Sequence, residues 1–504
     1  MIILIQPSLE EVKQLAGTYN LIPVSIELFA DVHTVIELYQ TYYQEDYSFL
    51  LESVEGGQQW ARYSYIGKNP FMVVSCKKGQ TQVKKKDQDE TYSGHPIEIL
   101  KSLLNQYKSP AHKNLPQFTG GAVGYFGYDI LQYFEKIPPH SKDILNTDDM
   151  KFLFVDELVV FDHLRQSINI ICNLHVPKNY NEKLIEELYE ETRLSIEATM
   201  KQLEQNVKQP VPSFRYLPQQ EVDISGVKSN LSKSEFCSMV DQAKEYITAG
   251  DIFQVVLSQC FESETKADPL TVYRVLRIVN PSAYMYLLKL PDETIVGSSP
   301  ELLVKVEGQR VRTRPIAGTR PRGKDMDEDQ ALAEELLADE KEVAEHLMLV
   351  DLGRNDIGRV SEYGSVEVSS FMEIERYSHV MHIVSDVTGL LREDKDFFDA
   401  LISCLPAGTL SGAPKIRAMQ IIAELETQAR GTYAGAIGYL SFSGNMDSCI
   451  TIRTILFKND KAYIQAGAGI VADSVPENEY DETFNKAKAL LKAIQVAEAM
   501  EQYA

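Results

Sequence analysis

Residues 312–323 read RTRPIAGTRPRG and contain four arginines, with a fifth, Arg310, just before them. This basic cluster stands out because the 504-residue chain carries a formal net charge of −23. Arginine presents a rigid fork of donors to carboxylates, so the stretch is either an anion site or a basic surface loop. A small Ala-Gly-Thr turn at residues 317–319 lies between two prolines, and its glycine lets a ligand approach the backbone closely.

The composition is that of a globular protein and argues against a nucleic-acid or membrane surface. Hydrophobic residues make up 44% and charged residues 24% of the chain, which are ordinary values. The acidic balance disfavours binding to phosphate backbones, and no apolar run reaches the roughly 18 residues that span a bilayer. The six cysteines are scattered without metal-ligand spacing, and the first residues lack the basic start of a signal peptide. We therefore expect a cytoplasmic protein without a zinc site.

The chain divides into three predicted regions. Residues 1–207 alternate predicted strands and helices, whereas residues 208–230 carry three prolines and no periodicity, which predicts a linker. Residues 231–504 begin with Ser232 and Glu235, the spacing of a helix capping box.

The first region contains one segment with two interpretations. Leu50-Leu51-Glu52-Ser53 and the aromatic stretch at 62–67 predict a hairpin. This hairpin either presents Glu52 and Ser53 to a small polar ligand or is a plain sheet edge.

Two polar residues of the third region lie in apolar surroundings. Gln254 falls on a predicted strand at 251–259 and is either a core amide with a partner or a site residue. Glu301 begins an apolar run, where an unpaired carboxylate is costly to bury. It therefore lies at the mouth of a pocket or pairs with a nearby arginine.

Acidic residues on two predicted helices also have two interpretations. Residues 326–350 predict one helix, on which Glu342 and Glu345 lie one turn apart where it passes from solvent to interior. These carboxylates either hold a divalent cation or form a solvated face. Near the C-terminus, Glu482 and Lys486 predict an exposed ion pair that contributes only about 0.2–0.5 kcal/mol.

The remaining candidates lie in short apolar or glycine-rich segments. Arg453 is the charged residue of a predicted strand at 450–454, a position that usually faces a carboxylate. Residues 467–469, Gly-Ala-Gly, predict a turn whose backbone N–H groups approach an oxygen ligand. His379 and His382 point to opposite faces of a predicted strand, so only one of them can face a given pocket.

Ten motifs resemble those of the chorismate-binding enzyme family and occur in the same order as in that family. The resemblance runs from about Ser232 to the end, with a weaker match from about Ile22. It implies an α/β fold of the α+β type, with layered antiparallel sheets and helices outside. The motifs are GDIFQVVLSQ, SSPELL, RTRPIAGTRPRG, EHLMLVDLGRND, YSHVMHIVS, GTLSGAPK, AGAIGY, CITIRT, QAGAGIVADS and DETFNKA.

Two positions select a branch within the family. Ala317 stands where aminodeoxychorismate-forming members carry a lysine, and Gln254 stands where water-adding members carry a base lysine. The resemblance therefore implies conversion of chorismate and ammonia to anthranilate and pyruvate, the first committed step of tryptophan synthesis. Formation of aminodeoxychorismate and a catalytically inactive tryptophan-binding regulator remain the alternatives.

The resemblance also implies roles for individual residues. Glu301 would be the general acid for loss of the 4-hydroxyl, His382 would assist the later loss of pyruvate and the ring proton, and His379 would be structural. Mg²⁺ would be held by Glu345 and Glu482. The arginines of 312–323 would pair with acidic residues around the turn. Gln254 and Thr409 would be further catalytic residues. The substrate-binding residues would be Gly318, Thr319, Tyr433, Arg453, Gly467, Ala468, Gly469 and Lys486.

Regulation and partners follow from the same resemblance. The segments at 50–53 and 280–286 resemble the two halves of a tryptophan feedback site, which would include Ser53, Ala283, Tyr284 and Met285. Ala283 departs from the family pattern, which usually has proline there. Ammonia would come from a glutamine amidotransferase subunit, in a heterotetramer of two plus two chains.

Overall fold

The fold is taken from a computed structural model, which describes residues 5–54, 62–86, 88–112, 114–206, 223–377 and 380–502. His379 and most of the predicted linker at 208–230 lie outside these ranges. The strands are β1 (Leu21–Phe29), β2 (Ser48–Glu52), β3 (Tyr63–Lys68), β4 (Met72–Lys77), β5 (Gln80–Lys85), β6 (Gln88–Ser93), β7 (Gly121–Phe126), β8 (Met150–Val155), β9 (Glu157–Asp162), β10 (Ser167–His175), β11 (Lys228–Ser229), β12 (Gln254–Glu264), β13 (Tyr284–Lys289), β14 (Thr294–Ser299), β15 (Leu302–Glu307), β16 (Arg310–Thr313), β17 (Ile316–Pro321), β18 (Glu367–Arg376), β19 (Val380–Leu390), β20 (Gly412–Ala413), β21 (Ala436–Ser441), β22 (Met446–Ile450), β23 (Thr454–Lys458) and β24 (Lys461–Ile470).

Helices occupy the connections between these strands. The α-helices are α1 (Leu9–Ala16), α2 (Val35–Gln40), α3 (Pro96–Leu104), α4 (Glu182–Asn206), α5 (Lys233–Thr248), α6 (Pro269–Val279), α7 (Met326–Ala338), α8 (Glu340–Gly358), α9 (Phe397–Cys404), α10 (Lys415–Leu425) and α11 (Pro476–Gln502). Short 3₁₀ turns lie at Tyr128–Tyr133 and Gly408–Leu410. The predicted capping box starts α5, because Ser232 and Glu235 bond reciprocally to each other's backbone N–H groups.

The strands form two 12-stranded sheets, each built from both ends of the chain. The first has the order β1-β10-β9-β3-β2-β13-β14-β23-β24-β12-β11, with β20 beside β12. The second has the order β17-β19-β16-β15-β22-β21-β7-β8-β4-β5-β6, with β18 beside β19. The N-terminal and C-terminal halves meet where β2 pairs with β13 and where β7 pairs with β21, all antiparallel.

Close packing explains the glycines of β7. A Cβ on Gly124 would lie 1.9 Å from the carbonyl oxygen of Lys151 on β8, a distance that any side chain would violate. The glycine-aromatic stretch at 119–128 is therefore a tightly packed strand.

The two sheets pack face to face, and helices cover their outer faces. Aromatic side chains from both sheets fill the space between them, including Phe49, Tyr65, Tyr125, Tyr286 and Tyr439. The outer face of the first sheet packs against α1, α2, α4, α6 and α11. The outer face of the second sheet packs against residues of α3, α9 and α10. The expected layered α+β fold is confirmed.

Two elements predicted as continuous are interrupted in the structure. The single helix at 326–350 is two helices, because Asp339 adopts an extended conformation and caps α8 by accepting from the N–H groups of Lys341 and Glu342. The continuous strand at 450–454 is broken between β22 and β23, where Arg453 has a positive φ of 50°. Because of this break, Arg453 lies between the two strands and not within either of them.

The other sequence expectations concern cysteines and membranes. All six cysteines are free thiols. In the part of the chain that the structure describes, the helices lack the combination of length and apolar composition that crossing a bilayer requires.

Candidate active site

The floor of the candidate site is the last part of β24. Residues 467–469 belong to this strand and not to the predicted turn, and they pair with Leu257 and its neighbours on β12. The partner on the other side, β23, pairs with β24 only as far as Ile464, so the following residues have an open edge. Alternate residues of a strand direct their backbone groups to opposite sides, so Gly467 and Gly469 present theirs to this edge.

Two cationic side chains reach the open edge. The Nζ of Lys486 on α11 donates to the carbonyl oxygen of Gly467 at 2.9 Å and lies 2.6 Å from the carboxylate of Glu482. A guanidinium nitrogen of Arg453 donates to the carbonyl oxygen of Lys486 at 2.8 Å. Among the described residues no carboxylate forms an ion pair with Arg453, and burial lowers its pKa. A half-buried guanidinium without a carboxylate partner in the described chain can bind an anionic ligand.

Glu301 lies beside this edge as a protonated carboxyl group. Thr409 donates a hydrogen bond of 3.0 Å to Oε1 of Glu301. Burial raises the pKa of Glu301 from 4.5 to about 8, against the opposing effects of the Thr409 bond and the Lys486 charge. No arginine of the described chain pairs with Glu301, so the pocket interpretation holds. A carboxyl that keeps its proton at neutral pH can act as a general acid.

Two further predicted residues pack against the glycine strand. A Cβ on Gly467 would lie 2.8 Å from the hydroxyl of Tyr433, and one on Gly469 would lie 2.6 Å from Nε2 of Gln254. Both side chains are buried. The glycines thus leave the space that these polar groups occupy, and Gln254 is a neutral amide at the pocket wall.

Gly318, Thr319 and His382 form a second group. Nδ1 of His382 lies 2.8 Å from the carbonyl oxygen of Gly318 and 3.1 Å from the hydroxyl of Thr319. A carbonyl only accepts, so Nδ1 carries the proton in the neutral ring and Nε2 is the acceptor nitrogen. Gly318 has φ +69° in an irregular part of β17, and a Cβ there would meet Leu336 and Glu342.

Helix α8 connects the two groups through its acidic face. Glu342 lies next to Gly318 and bonds to Arg320, whereas Glu345 is exposed. Packing around the Glu345 carboxyl raises its pKa, and the nearby charges of Glu342 and Glu482 add to this effect. The charge of Glu482 on α11 thus reaches Glu345 on α8, as the smallest of these effects.

This pair of carboxylates fits a Mg²⁺ ion. Packing is the main cause of the raised pKa of Glu345, and the charges of Glu342 and Glu482 add to it, an effect that a divalent cation would offset. Mg²⁺ typically takes one or two carboxylates and completes its shell with water and substrate oxygens. The described residues contain no group of three or more acidic, histidine or cysteine ligands. The donor set is thus one that suits Mg²⁺ together with a carboxylate substrate, and not a closed protein cage.

The arginines of 312–323 pair with the protein's own acids, as expected. Arg312 donates to Asp386 at 2.8 Å, Arg320 to Asp339 at 2.8 Å and Arg322 to Asp329 at 2.6 Å. Arg314 pairs with Glu375. The Arg312 bond ties β16 to β19, and the Arg320 and Arg322 bonds tie the end of β17 to the starts of α8 and α7. The stretch therefore positions the Gly318 turn and is not itself an anion trap.

A separate cavity of about 370 Å³ lies between the two sheets where β2 meets β13. The strands bring the two predicted halves of a feedback site together, because Glu52 pairs with Met285 across the ladder. Its lining combines aromatic rings with charged groups and includes Ser53, Arg62, Tyr65, Ala283, Tyr284, Met285, Lys305, Tyr439 and Asp447. The hydroxyl of Tyr284 donates to Asp447 at 2.9 Å.

The sequence analysis missed the most deeply buried ion pair near the site. Arg430 is 0% exposed and pairs with Glu426 at 2.6 Å. Glu426 and Arg430 both lie beyond α10, which ends at Leu425, so helical spacing gave no signal for this pair. The spacing alone could not indicate that they are buried.

The chain is similar to proteins of one family over nearly its whole length. A family model described as chorismate binding enzyme matches residues 47–492. Anthranilate synthase component 1 of Acetivibrio thermocellus is 54% identical over 492 residues, which cover 97% of this chain and 99% of the relative. The protein of the same name from Bacillus subtilis is 47% identical over 499 residues, covering 96% and 94%.

Solved structures give the same result. The crystal structure of anthranilate synthase component I from Streptococcus pneumoniae matches with a TM-score of 0.74 and 42% identity, covering 86% of this chain and 92% of that one. A menaquinone-specific isochorismate synthase from Escherichia coli matches with a TM-score of 0.70, covering 96% and 98%, but at 18% identity this likeness concerns the fold alone. The resemblance inferred from the motifs is confirmed: the chain belongs to the chorismate-binding enzyme family.

Proposed function

We propose that this protein converts chorismate and ammonia to anthranilate and pyruvate and so commits chorismate to tryptophan synthesis. The observation that carries the proposal is the arrangement of Glu301, hydrogen-bonded to Thr409, beside an open strand edge with Arg453 and Lys486. The identity of 54% to an anthranilate synthase component 1 over almost the full length supports it.

Substrate binding follows from the charges at the open edge. Chorismate carries two carboxylates, and Arg453, Lys486 and the backbone N–H groups of Gly467 and Gly469 are donors of the required kind. Tyr433 and Thr409 would line the ring. Ala468, whose backbone faces β12, would contribute shape rather than a donor.

Acid–base steps are assigned to groups whose protonation state suits them. Glu301 would give its proton to the departing 4-hydroxyl as ammonia adds to the ring, and Thr409 would stabilise the carboxylate that results. His382 would accept the ring proton at Nε2 during the loss of pyruvate, since the carbonyl of Gly318 holds its Nδ1 proton. Gln254 is neutral and cannot activate water as a lysine base would, which leaves ammonia as the nucleophile.

Glu345 and Glu482 would hold Mg²⁺. When bound, the ion would orient a substrate carboxylate and offset its charge. Lys486 pairs with Glu482 in the structure and would share that carboxylate with the ion.

We further propose that tryptophan inhibits the enzyme from the cavity between the sheets. Its volume of about 370 Å³ and its mixture of aromatic and charged groups suit an amino acid with a large ring. The expected partner is a glutamine amidotransferase subunit that supplies ammonia, in an assembly of two plus two chains within the cytoplasm.

Product analysis tests the proposal. The purified chain, given chorismate, Mg²⁺ and ammonium, should form fluorescent anthranilate and an equal amount of pyruvate. Aminodeoxychorismate as the sole product would instead assign the chain to the folate branch.

A further inference from the structure

The buried pair of Arg430 and Glu426 connects three parts of the candidate active site. Nη1 of Arg430 donates to the carbonyl oxygen of Leu410 at 2.8 Å, and Nη2 donates to that of Val256 at 2.8 Å. Leu410 follows Thr409, the residue that bonds to Glu301. One guanidinium therefore fixes both the loop that carries Thr409 and the strand that carries Gln254.

Glu426 holds this guanidinium in a single orientation. Its two carboxylate oxygens accept from Nε at 2.8 Å and from Nη2 at 2.6 Å, the side-by-side geometry that arginine and carboxylate prefer. Oε1 also accepts from the backbone N–H of Ser258 at 2.7 Å and from its hydroxyl at 3.0 Å. Both carboxylate oxygens of Glu426 thus accept hydrogen bonds. Through Ser258, the carboxylate is bonded to β12 at the position that pairs with Gly467.

Aromatic rings complete the arrangement. The guanidinium carbon of Arg430 lies 4.8 Å from the ring centre of Tyr128 and 5.6 Å from that of Tyr433. A cation near two ring faces is stabilised by their quadrupoles. Tyr433 is the residue whose hydroxyl adjoins Gly467.

We propose that Arg430 is a positioning residue: it holds the Thr409 loop, β12 and Tyr433 in the one arrangement in which Thr409 bonds to Glu301. It touches no predicted substrate atom and acts through Thr409 and Tyr433. The inference rests on the proposed function, because its effect is measured on anthranilate formation.

A lysine cannot replace this guanidinium. Its ammonium is a single point of charge and cannot bind a carboxylate side by side while also reaching two carbonyl oxygens. In Arg430→Lys the loop loses its anchor at Leu410, so Thr409 should leave Glu301. Displacement of a catalytic group by about 1 Å costs up to roughly 100-fold in rate.

The test is a double-mutant cycle between Arg430→Lys and Thr409→Val, measured as kcat for anthranilate at saturating ammonium. Rates are normalised to the folded fraction from near-ultraviolet circular dichroism. Glu426→Gln, which weakens the same anchor without changing Arg430, is measured in parallel in case Arg430→Lys folds poorly. Arg417→Lys is the matched control, because Arg417 lies on α10 in a surface ion pair with Asp251.

We expect Arg430→Lys and Thr409→Val each to lower kcat by roughly 10- to 100-fold. The double variant should be no slower than the slower single variant, because both changes remove the same bond. Losses that multiply, or a wild-type kcat in folded Arg430→Lys or Glu426→Gln, would overturn the inference. Failure of the proposed function is distinguished by the wild-type protein, which would then form no anthranilate at all.

Discussion

The hydroxyl of Thr409 donates a hydrogen bond of 3.0 Å to the carboxyl group of Glu301, whose pKa burial raises to about 8. The bond favours the ionised carboxylate, whereas burial favours the neutral acid. The two effects together leave Glu301 protonated at neutral pH but able to release its proton to a leaving group.

Removing the Thr409 hydroxyl should change the pH dependence of turnover. Thr409→Val takes away a donor that stabilises the Glu301 carboxylate, so the pKa of Glu301 should rise further. Because the protonated form is the active acid, the alkaline limb of kcat, near pH 8 in the wild type, should move to higher pH. Initial rates of anthranilate formation across a pH series measure this shift, and a limb that moves to lower pH would count against Glu301 as the acid.

The raised pKa of Glu301 also predicts a cost in stability. Between pH 4.5 and about 8 the folded state holds a proton on Glu301 that the unfolded state has released. Stability from this group therefore falls as pH rises through that window and is constant above it. Glu301→Gln should lose activity yet melt above the wild type, by a margin that grows from acid to alkaline pH. Differential scanning calorimetry measures the margin, and one that shrinks with rising pH would refute the assigned shift.

The metal assignment predicts a specific defect in Glu345→Gln. We expect at least about a 10-fold loss of turnover at saturating ammonia and a higher Mg²⁺ requirement, because a ligand is lost. Glu340→Gln is the control, since Glu340 lies on the same helix without a role in the pair. Isothermal titration with Mg²⁺ in the presence of chorismate supplies a readout besides rate. Unchanged Mg²⁺ affinity and turnover in Glu345→Gln would remove Glu345 from the metal site.

Arg453 should act mainly in binding. It lacks an ion-pair partner among the described residues, so an anionic substrate would supply one. Arg453→Gln should raise the KM for chorismate by roughly 10- to 100-fold, as expected for losing a bond to a charged group. Arg354→Gln, in an exposed pair with Asp351, is the matched control. An unaltered KM in the Arg453 variant would place the substrate carboxylates elsewhere.

The cavity between the sheets can be tested by filling it. Ser53→Phe places a ring in a space of about 370 Å³ that a tryptophan side chain would need. Each variant's inhibition curve is normalised to its own rate without tryptophan. We expect the tryptophan concentration for half inhibition to be about 10-fold or more higher in Ser53→Phe than in the wild type. Equilibrium dialysis with labelled tryptophan measures binding directly, and wild-type affinity in this variant would place the feedback site outside the cavity.

Much of the fold could be predicted from local patterns, whereas the relative positions of its parts could not. The capping box at Ser232 and the apolar strands follow from spacing, and both are present. The helix break at Asp339 was missed because the apolar positions Leu336 and Val343 keep helical spacing across it. The kink at Arg453 was missed because the four residues around it, Ile450, Thr451, Ile452 and Thr454, are all β-branched and favour a continuous strand.

The positions of the site residues relative to one another could be predicted even less well from the sequence. Glu301, Thr409 and Lys486 lie far apart in the sequence, and only the sheet order brings them to one strand edge. Motif resemblance supplied their roles, but it gave no hint that the Arg430–Glu426 pair lies buried behind them. Long-range proximity of this kind depends on strand pairing between chain segments, which residue spacing does not encode.

The most direct test of the account is the reaction of the purified wild-type chain with chorismate, Mg²⁺ and ammonium, followed by anthranilate fluorescence and a coupled assay for pyruvate. We predict one pyruvate for each anthranilate, with formation of both suppressed by added tryptophan. Accumulation of aminodeoxychorismate alone, or no consumption of chorismate, would contradict the account.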